Sequence, residues 1–170
     1  IGANQRGALR TQEMVADFGQ SEVTRYMEAL LAYTERMTRN LLERLPNGEF
    51  HFSDCLDNDG ISADPVTIKV SICIDGDQAT VDFSGSAPQQ KGSVNAVRAI
   101  SLSAVYYVFR CLIGLDVPNN AGCLVPIEVI TPEKSVVNAQ HPAPVAGGNV
   151  ETSQRIVDVL LGALAQAAPK

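Results

Sequence analysis

Apolar and polar residues alternate without a break from Val66 to Ile74. Val66, Ile68, Val70, Ile72 and Ile74 fall on one side, and Thr67, Lys69, Ser71 and Cys73 on the other. A period of two is the signature of a strand with one buried face. Asp75-Gly76-Asp77 reads as a hairpin turn, and Ala79, Val81 and Phe83 repeat the alternation on the return strand, through Ser84. A shorter strand is predicted over Glu49–Ser53, with Phe50 and Phe52 opposite a solvated His51. Val125, Ile127 and Val129 predict another strand, ended by Pro132, and Ser135–Asn138 a further short one.

Elsewhere the period changes to that of a helix. Val23, Met27, Leu30, Leu31, Met37, Leu41, Leu42 and Leu45 follow the i, i+3/i+4 rule across Ser21–Leu45. Ser21 can cap this long helix, and Pro46-Asn47-Gly48 ends it. A weaker stripe (Leu9, Met14, Val15, Phe18) predicts a helix over Asn4–Phe18, with Asn4 as cap and Gly19 just past its end. Asn95–Leu112 is apolar most of the way round, which predicts a central, buried helix. Gly85–Val94 is a polar loop. The fold class is therefore α+β: an antiparallel hairpin or sheet packed with several helices. One of these is a long N-terminal helix and another a C-terminal amphipathic one. Residues 1–46 form a helical part and 47–170 an α+β part.

The C-terminal helix follows the most informative stretch, PAPVAGGNVETSQRIVDVLLGAL (Pro142–Leu164). Pro142 and Pro144 extend the backbone. Gly147 and Gly148 permit positive φ or a close approach by other groups. Asn149 is a good N-cap and Glu151 suits the first turn. Ile156, Val157, Leu160, Leu161 and Leu164 make one apolar stripe. Two readings meet here: a loop, cap and docking helix, or a cradle in which glycine N–H groups hold an anion. No Gly-Lys-Ser/Thr follows the glycines and no Gly-x-Gly-x-x-Gly spacing is present, so neither nucleotide fingerprint applies.

Composition narrows the classes. A chain of 170 residues, 45% hydrophobic and 19% charged, is an ordinary globular sequence. Its net charge of −6 and lack of a basic cluster argue against nucleic acid. No apolar run is long enough for a membrane span, and no leader pattern stands at the start. A cytoplasmic protein with reduced thiols is expected. Cys55, Cys73, Cys111 and Cys123 show no metal-site spacing, and Cys73 and Cys111 read as small core hydrophobes. Cys123 and His141 invite a nucleophile-pair reading, but nothing in the spacing joins them; a structural loop cysteine is the simpler account. The acidic turn Asp54–Asp64 fails as an EF-hand. With Gly60 as the turn glycine, Cys55 and Val66 occupy the first and last ligand positions. Asp54, Asp57 and Asp59 remain as weaker cation ligands, set against the plainer role of Asp as a turn residue.

Five segments, in order, resemble the hydantoinase B/oxoprolinase family: ANQRG (Ala3–Gly7), the run Asp59–Ala96, SAVYYVFRCL (Ser103–Leu112), PNNAGCLVPIEVITPEKSVVNA (Pro118–Ala139) and GGNVETSQRIVDVLLGAL (Gly147–Leu164). The resemblance implies the C-terminal part of a B-type subunit or domain of an ATP-dependent cyclic amide hydrolase, of 5-oxoprolinase or N-methylhydantoinase type. It implies an A-type partner that uses ATP and Mg, an oligomer, and no cofactor in this segment. The segment alone is expected to be inactive. Gly147, Gly148, Asn149, Glu151, Thr152, Ser153 and Arg155 are the substrate-binding residues it suggests, with no catalytic residue named. An acetone-type carboxylase subunit, or an assembly module without catalytic groups, are the alternatives.

Overall fold

Every member of the alternating series Val66–Ile74 is buried, none more than 2% exposed, while Thr67, Lys69 and Cys73 face solvent. The structure is a computed structural model and describes residues 1–114 and 116–167. Its elements are α1 (Gly2–Phe18), α2 (Gln20–Leu42), β1 (Gly48–Leu56), β2 (Val66–Asp75), β3 (Gln78–Asp82), α3 (Arg98–Ile113), β4 (Ile127–Ile130) and α4 (Ser153–Leu164). The strands form one sheet in the order β1-β2-β3-β4. The first three pair antiparallel, and β4 runs parallel to β3. A parallel pair needs a crossover, and α3 lies within it. This mixed sheet with four α-helices is the α+β fold the periodicities imply.

Helix α4 lies across β1 and β2 and beside α3, while α2 packs on α3 and β3. The core fills the space between: Ile68, Ile72, Val81, Phe83, Val105, Phe109, Ile156 and Leu160 are almost wholly shielded. Each such side chain contributes about 1.5–3 kcal/mol relative to exposure. The opposite face of β1 and β2 is open, with Glu49 accepting a hydrogen bond from Ser71.

Several local expectations need correction. Cys73 and Cys111 are exposed rather than core. Alternation puts Cys73 on the wet side of β2, and Cys111 shares an outer face of α3 with Tyr107. Helix α3 is therefore buried on one side only, through Ala104, Val105, Val108, Phe109 and Ile113. It begins at Arg98, because Asn95 and Ala96 are committed elsewhere. Helices α1 and α2 start at Gly2 and Gln20, ahead of the expected caps, with no side-chain cap at either. Gly19, at φ 83°, separates them.

The turn before β4 is rigid for a tertiary reason. Thr34 donates to the Asn120 side chain (2.5 Å) and Asn120 donates to Leu30 O (3.3 Å). A Cβ on Gly122 would lie 2.1 Å from Leu31 O, so only glycine lets the turn seat against α2. Cys123 is buried there, and burial, followed by the neighbouring Cys123, pushes the Tyr106 hydroxyl up. His141 is exposed, so the two groups of a Cys–His pair sit in different environments.

Candidate functional site

The backbone at Gly147–Gly148 is built for contact. Gly147 N–H donates to Ser93 O (2.7 Å) and Gly148 N–H to Val145 O (3.2 Å). A Cβ on Gly148 would stand 2.0 Å from Asn95 O and 2.9 Å from the Ala96 Cα. Neither glycine has positive φ. What the pair supplies is close approach, here of the Ser93–Ala96 strand of backbone. Both N–H groups are spent inside the chain, which corrects the expectation that they face an anion. Nor does a Gly-Lys-Ser/Thr follow the glycines to hold a phosphate.

Beyond the glycines the chain does not enter an α-helix capped by Asn149, as expected. Gly148–Thr152 makes a wide π-turn, with Ser153 N–H reaching back to Gly148 O, and α4 continues from Ser153. Such turns change the phase of a helix. Here the consequence is that successive signature residues point to opposite sides. Thr152 is fully buried and donates to Val94 O. Asn149 and Ser153 line a cleft of about 480 Å³ against α3, opposite Ser103 and Tyr107. Glu151 and Arg155 line a second, of about 380 Å³, against the loop Leu56–Gly60. Both lie within the range of small-molecule sites. The seven predicted residues thus straddle a ridge rather than lining one pocket.

The second cleft joins two features that are a hundred residues apart in sequence. Phe50, Phe52, Asp54 and Leu56 share one face of β1, in register with Ile72, Val70, Ile68 and Val66. Asp54 is a carboxylate in a series of apolar positions, and it meets Arg155 at the start of α4. The Arg155 Nη1 also stands 3.6 Å from Asp158, and its Nε is buried without a partner. The Cys55 N–H, and then Arg155, hold the Asp54 carboxyl below the ordinary carboxylate range. A polar residue at the third position of the Phe-x-Phe-x-Asp-x-Leu series was the sequence signal for this contact.

Asp59 is buried and serves the loop itself. Its carboxylate accepts from Ser62 N–H (2.6 Å), Gly92 N–H (2.8 Å) and Ile61 N–H (2.8 Å). These three bonds, Ser62 first, lower its pKa. Asp57 is exposed in the cleft. Asp54, Asp57 and Asp59 therefore do not converge. Among the described residues no three acidic, histidine or cysteine side chains gather at metal-binding distance. Because the folded-state value of Asp59 lies below the unfolded one, its stabilisation is full above the ordinary carboxyl range, near pH 4. It is lost as the pH falls through the lowered value. Replacing Asp59→Asn is expected to weaken the fold at neutral pH and flatten the acid limb of a stability–pH curve. Matching acid limbs for wild type and variant would show that the loop is held by something else.

The residue that sequence reasoning missed is Asn95. It is fully buried, and its Nδ2 lies 2.9–3.0 Å from the carbonyl oxygens of Gln90, Gly92 and Pro144. Its Oδ1 accepts from Gln90 N–H at 2.7 Å. Segment 90–96 is thus clamped between the acidic loop through Asp59 and the glycine turn through Asn95. Locally, Asn95 reads only as the start of a helix.

The sequence model of the family Hydantoinase B/oxoprolinase matches residues 1–170. The chain belongs to this family. This hydantoinase B/oxoprolinase chain is 35% identical over 178 residues to 5-oxoprolinase 1 of Arabidopsis thaliana, a match spanning 99% of the chain but 14% of that relative. Its fold is similar to the crystal structure of an ATP-dependent caprolactamase from Pseudomonas jessenii, with TM-score 0.87 and 28% identity over 99% of this chain and 29% of that one. An acetone carboxylase in its nucleotide-free structure shares the fold, with TM-score 0.74 and 14% identity over 92% and 22% of the two chains. Among the described residues no helix of the hydantoinase B/oxoprolinase chain is long and apolar enough to cross a membrane.

Proposed function

We propose that this chain is part, the C-terminal portion, of the B-type component of an ATP-dependent cyclic amide hydrolase. It completes ring opening of a lactam activated elsewhere in the complex. The likeness to the caprolactamase over 99% of the chain carries this reading, and the 35% identity to a 5-oxoprolinase supports it. An unstrained lactam resists hydrolysis. Phosphorylation of its carbonyl oxygen makes a better electrophile, which is the reason such ring opening uses ATP. The nucleotide and its Mg are assigned to an A-type partner, in keeping with a glycine turn whose N–H groups are already committed. The groups assigned to the substrate-facing surface are those the π-turn leaves in the two clefts: Asn149 and Ser153 on one side, Glu151 and Arg155 on the other. Thr152, Gly147 and Gly148 hold that turn in place. The assembled protein is read as a cytoplasmic oligomer, and the segment by itself as inactive.

The test is ATP-dependent opening of 5-oxoproline, a hydantoin and caprolactam by the complete A/B enzyme, run beside bicarbonate fixation on a ketone. Ring opening without carboxylation is the expected result. Carboxylation alone would move the protein to the acetone-type carboxylases, which this chain matches in fold. Binding to the A-type partner with neither activity would leave the chain as an assembly module.

Arg155 gives the sharpest site test. In the complete enzyme Arg155→Ala is expected to lower turnover by about ten- to a hundredfold, the scale on which misplaced groups act. The melting temperature should stay near that of wild type. Arg155→Lys keeps the charge without the fork and should recover only part of the loss. Unchanged kinetics in both would remove Arg155 from the site.

A further inference from the structure

Helix α1 buries none of its side chains, and between Gln20 and Tyr33 only Val23 of α2 is buried. Yet this hairpin carries much of the exposed apolar surface. Phe18 is 69% exposed, Tyr26 59%, Leu9 53% and Leu30 46%. Met14, Phe18, Val23, Tyr26, Met27 and Leu30 line one continuous cleft of about 390 Å³ between the two helices. Glu22 is the one charged residue lining it, and it is already paired with Arg25 at 2.6 Å. The Arg25 guanidinium also lies over the Tyr26 ring, 4.6 Å from its centre. The centre of the cleft offers an incoming group apolar contact and almost nothing ionic.

We infer that the α1–α2 cleft is the seat of an apolar surface contributed by the remainder of the same hydantoinase B polypeptide. Most helical stability in proteins comes from packing of an apolar face rather than from propensity, so a helix with no buried residue needs its cover when it folds. A segment of the same chain supplies that cover at once; a separate subunit arrives later. The relatives have the chain to do so. The caprolactamase match takes in 99% of this chain, hence both helices, and leaves 71% of the caprolactamase chain outside the match (100 − 29). In 5-oxoprolinase 1 the match is 14% of the protein. Apolar patches of this kind mark interaction surfaces on soluble proteins. The inference rests on family membership and stands whether or not the ring-opening reading holds.

Two measurements on the full-length protein test it. Phe18→p-benzoylphenylalanine, irradiated, should cross-link to a peptide of the same polypeptide outside residues 1–170, with no change in chain mass on a denaturing gel. Amides of residues 9–30 in unmodified full-length protein should exchange roughly tenfold or more slowly than in the 170-residue chain. A doubled mass would assign the cleft to a second copy, and an adduct with the A-type chain would assign it to that partner; either overturns the inference. So would equal exchange in the two forms with no cross-link.

Discussion

Gly148→Ala is expected to destabilise the chain by about 3 kcal/mol or more, the upper end of overpacking penalties. At about 2–4 °C per kcal/mol for a domain of this size, that is a fall of roughly 6–12 °C in melting temperature. The added Cβ would sit 2.0 Å from Asn95 O and 2.8 Å from its carbonyl carbon. Both are backbone atoms, and Asn95 is itself held on four sides, so neither partner can step back. Gly162→Ala is the control. Its Cβ would meet the Phe52 ring at 2.7 Å, but that ring is 39% exposed and can swing aside. Alanine also gains up to about 1 kcal/mol of helix propensity over glycine. The control should melt near wild type. If the two variants melted alike, glycine at 148 would have some reason other than the closeness of Asn95.

Asn95→Ala should cost about 3–4 kcal/mol, since each buried polar group left without a partner costs about 1–3 kcal/mol. It strands the carbonyls of Gln90, Gly92 and Pro144 and the Gln90 N–H together. Asn95→Asp keeps the size and the acceptor but turns the donor edge into a carboxylate facing carbonyl oxygens. It should be at least as harmful at neutral pH, and should recover partly in acid as the carboxyl gains a proton. Urea unfolding gives the cost. Hydrogen exchange should locate the loosening in residues 90–96 and 144–152 before it reaches β2. Loosening that began in α2 would show that Asn95 does not clamp these segments.

What could be read from sequence followed how local its cause is. The hairpin of β2 and β3, the length of α2 and the stripe of α4 are written in periods of two and 3.6, because each element buries one face. Cys73 was misjudged for the same reason in reverse: its own alternation places it outside. The role of Gly148 needs a carbonyl 53 residues away, and that of Asn95 needs a proline 49 residues on. No window of neighbouring residues contains such information. Asn149 follows every local rule for a cap, yet the backbone takes the wider turn because Thr152 is drawn down onto Val94. Arg155 was singled out on chemistry alone, while its partner Asp54 was weighed as a cation ligand. The two are joined only once β1 and α4 are stacked.

That Asp54 and Arg155 stand 101 residues apart has a consequence for how the protein matures. The cleft of Glu151 and Arg155 cannot exist before α4 has been made, since its walls come from the end of β1, the loop after it, Ser93–Val94 and the start of α4. Order there arrives last, after the chain has closed its longest loops. A protease nick at exposed Lys91, leaving sheet and helices intact, would still cut the strap that sets the distance between those walls.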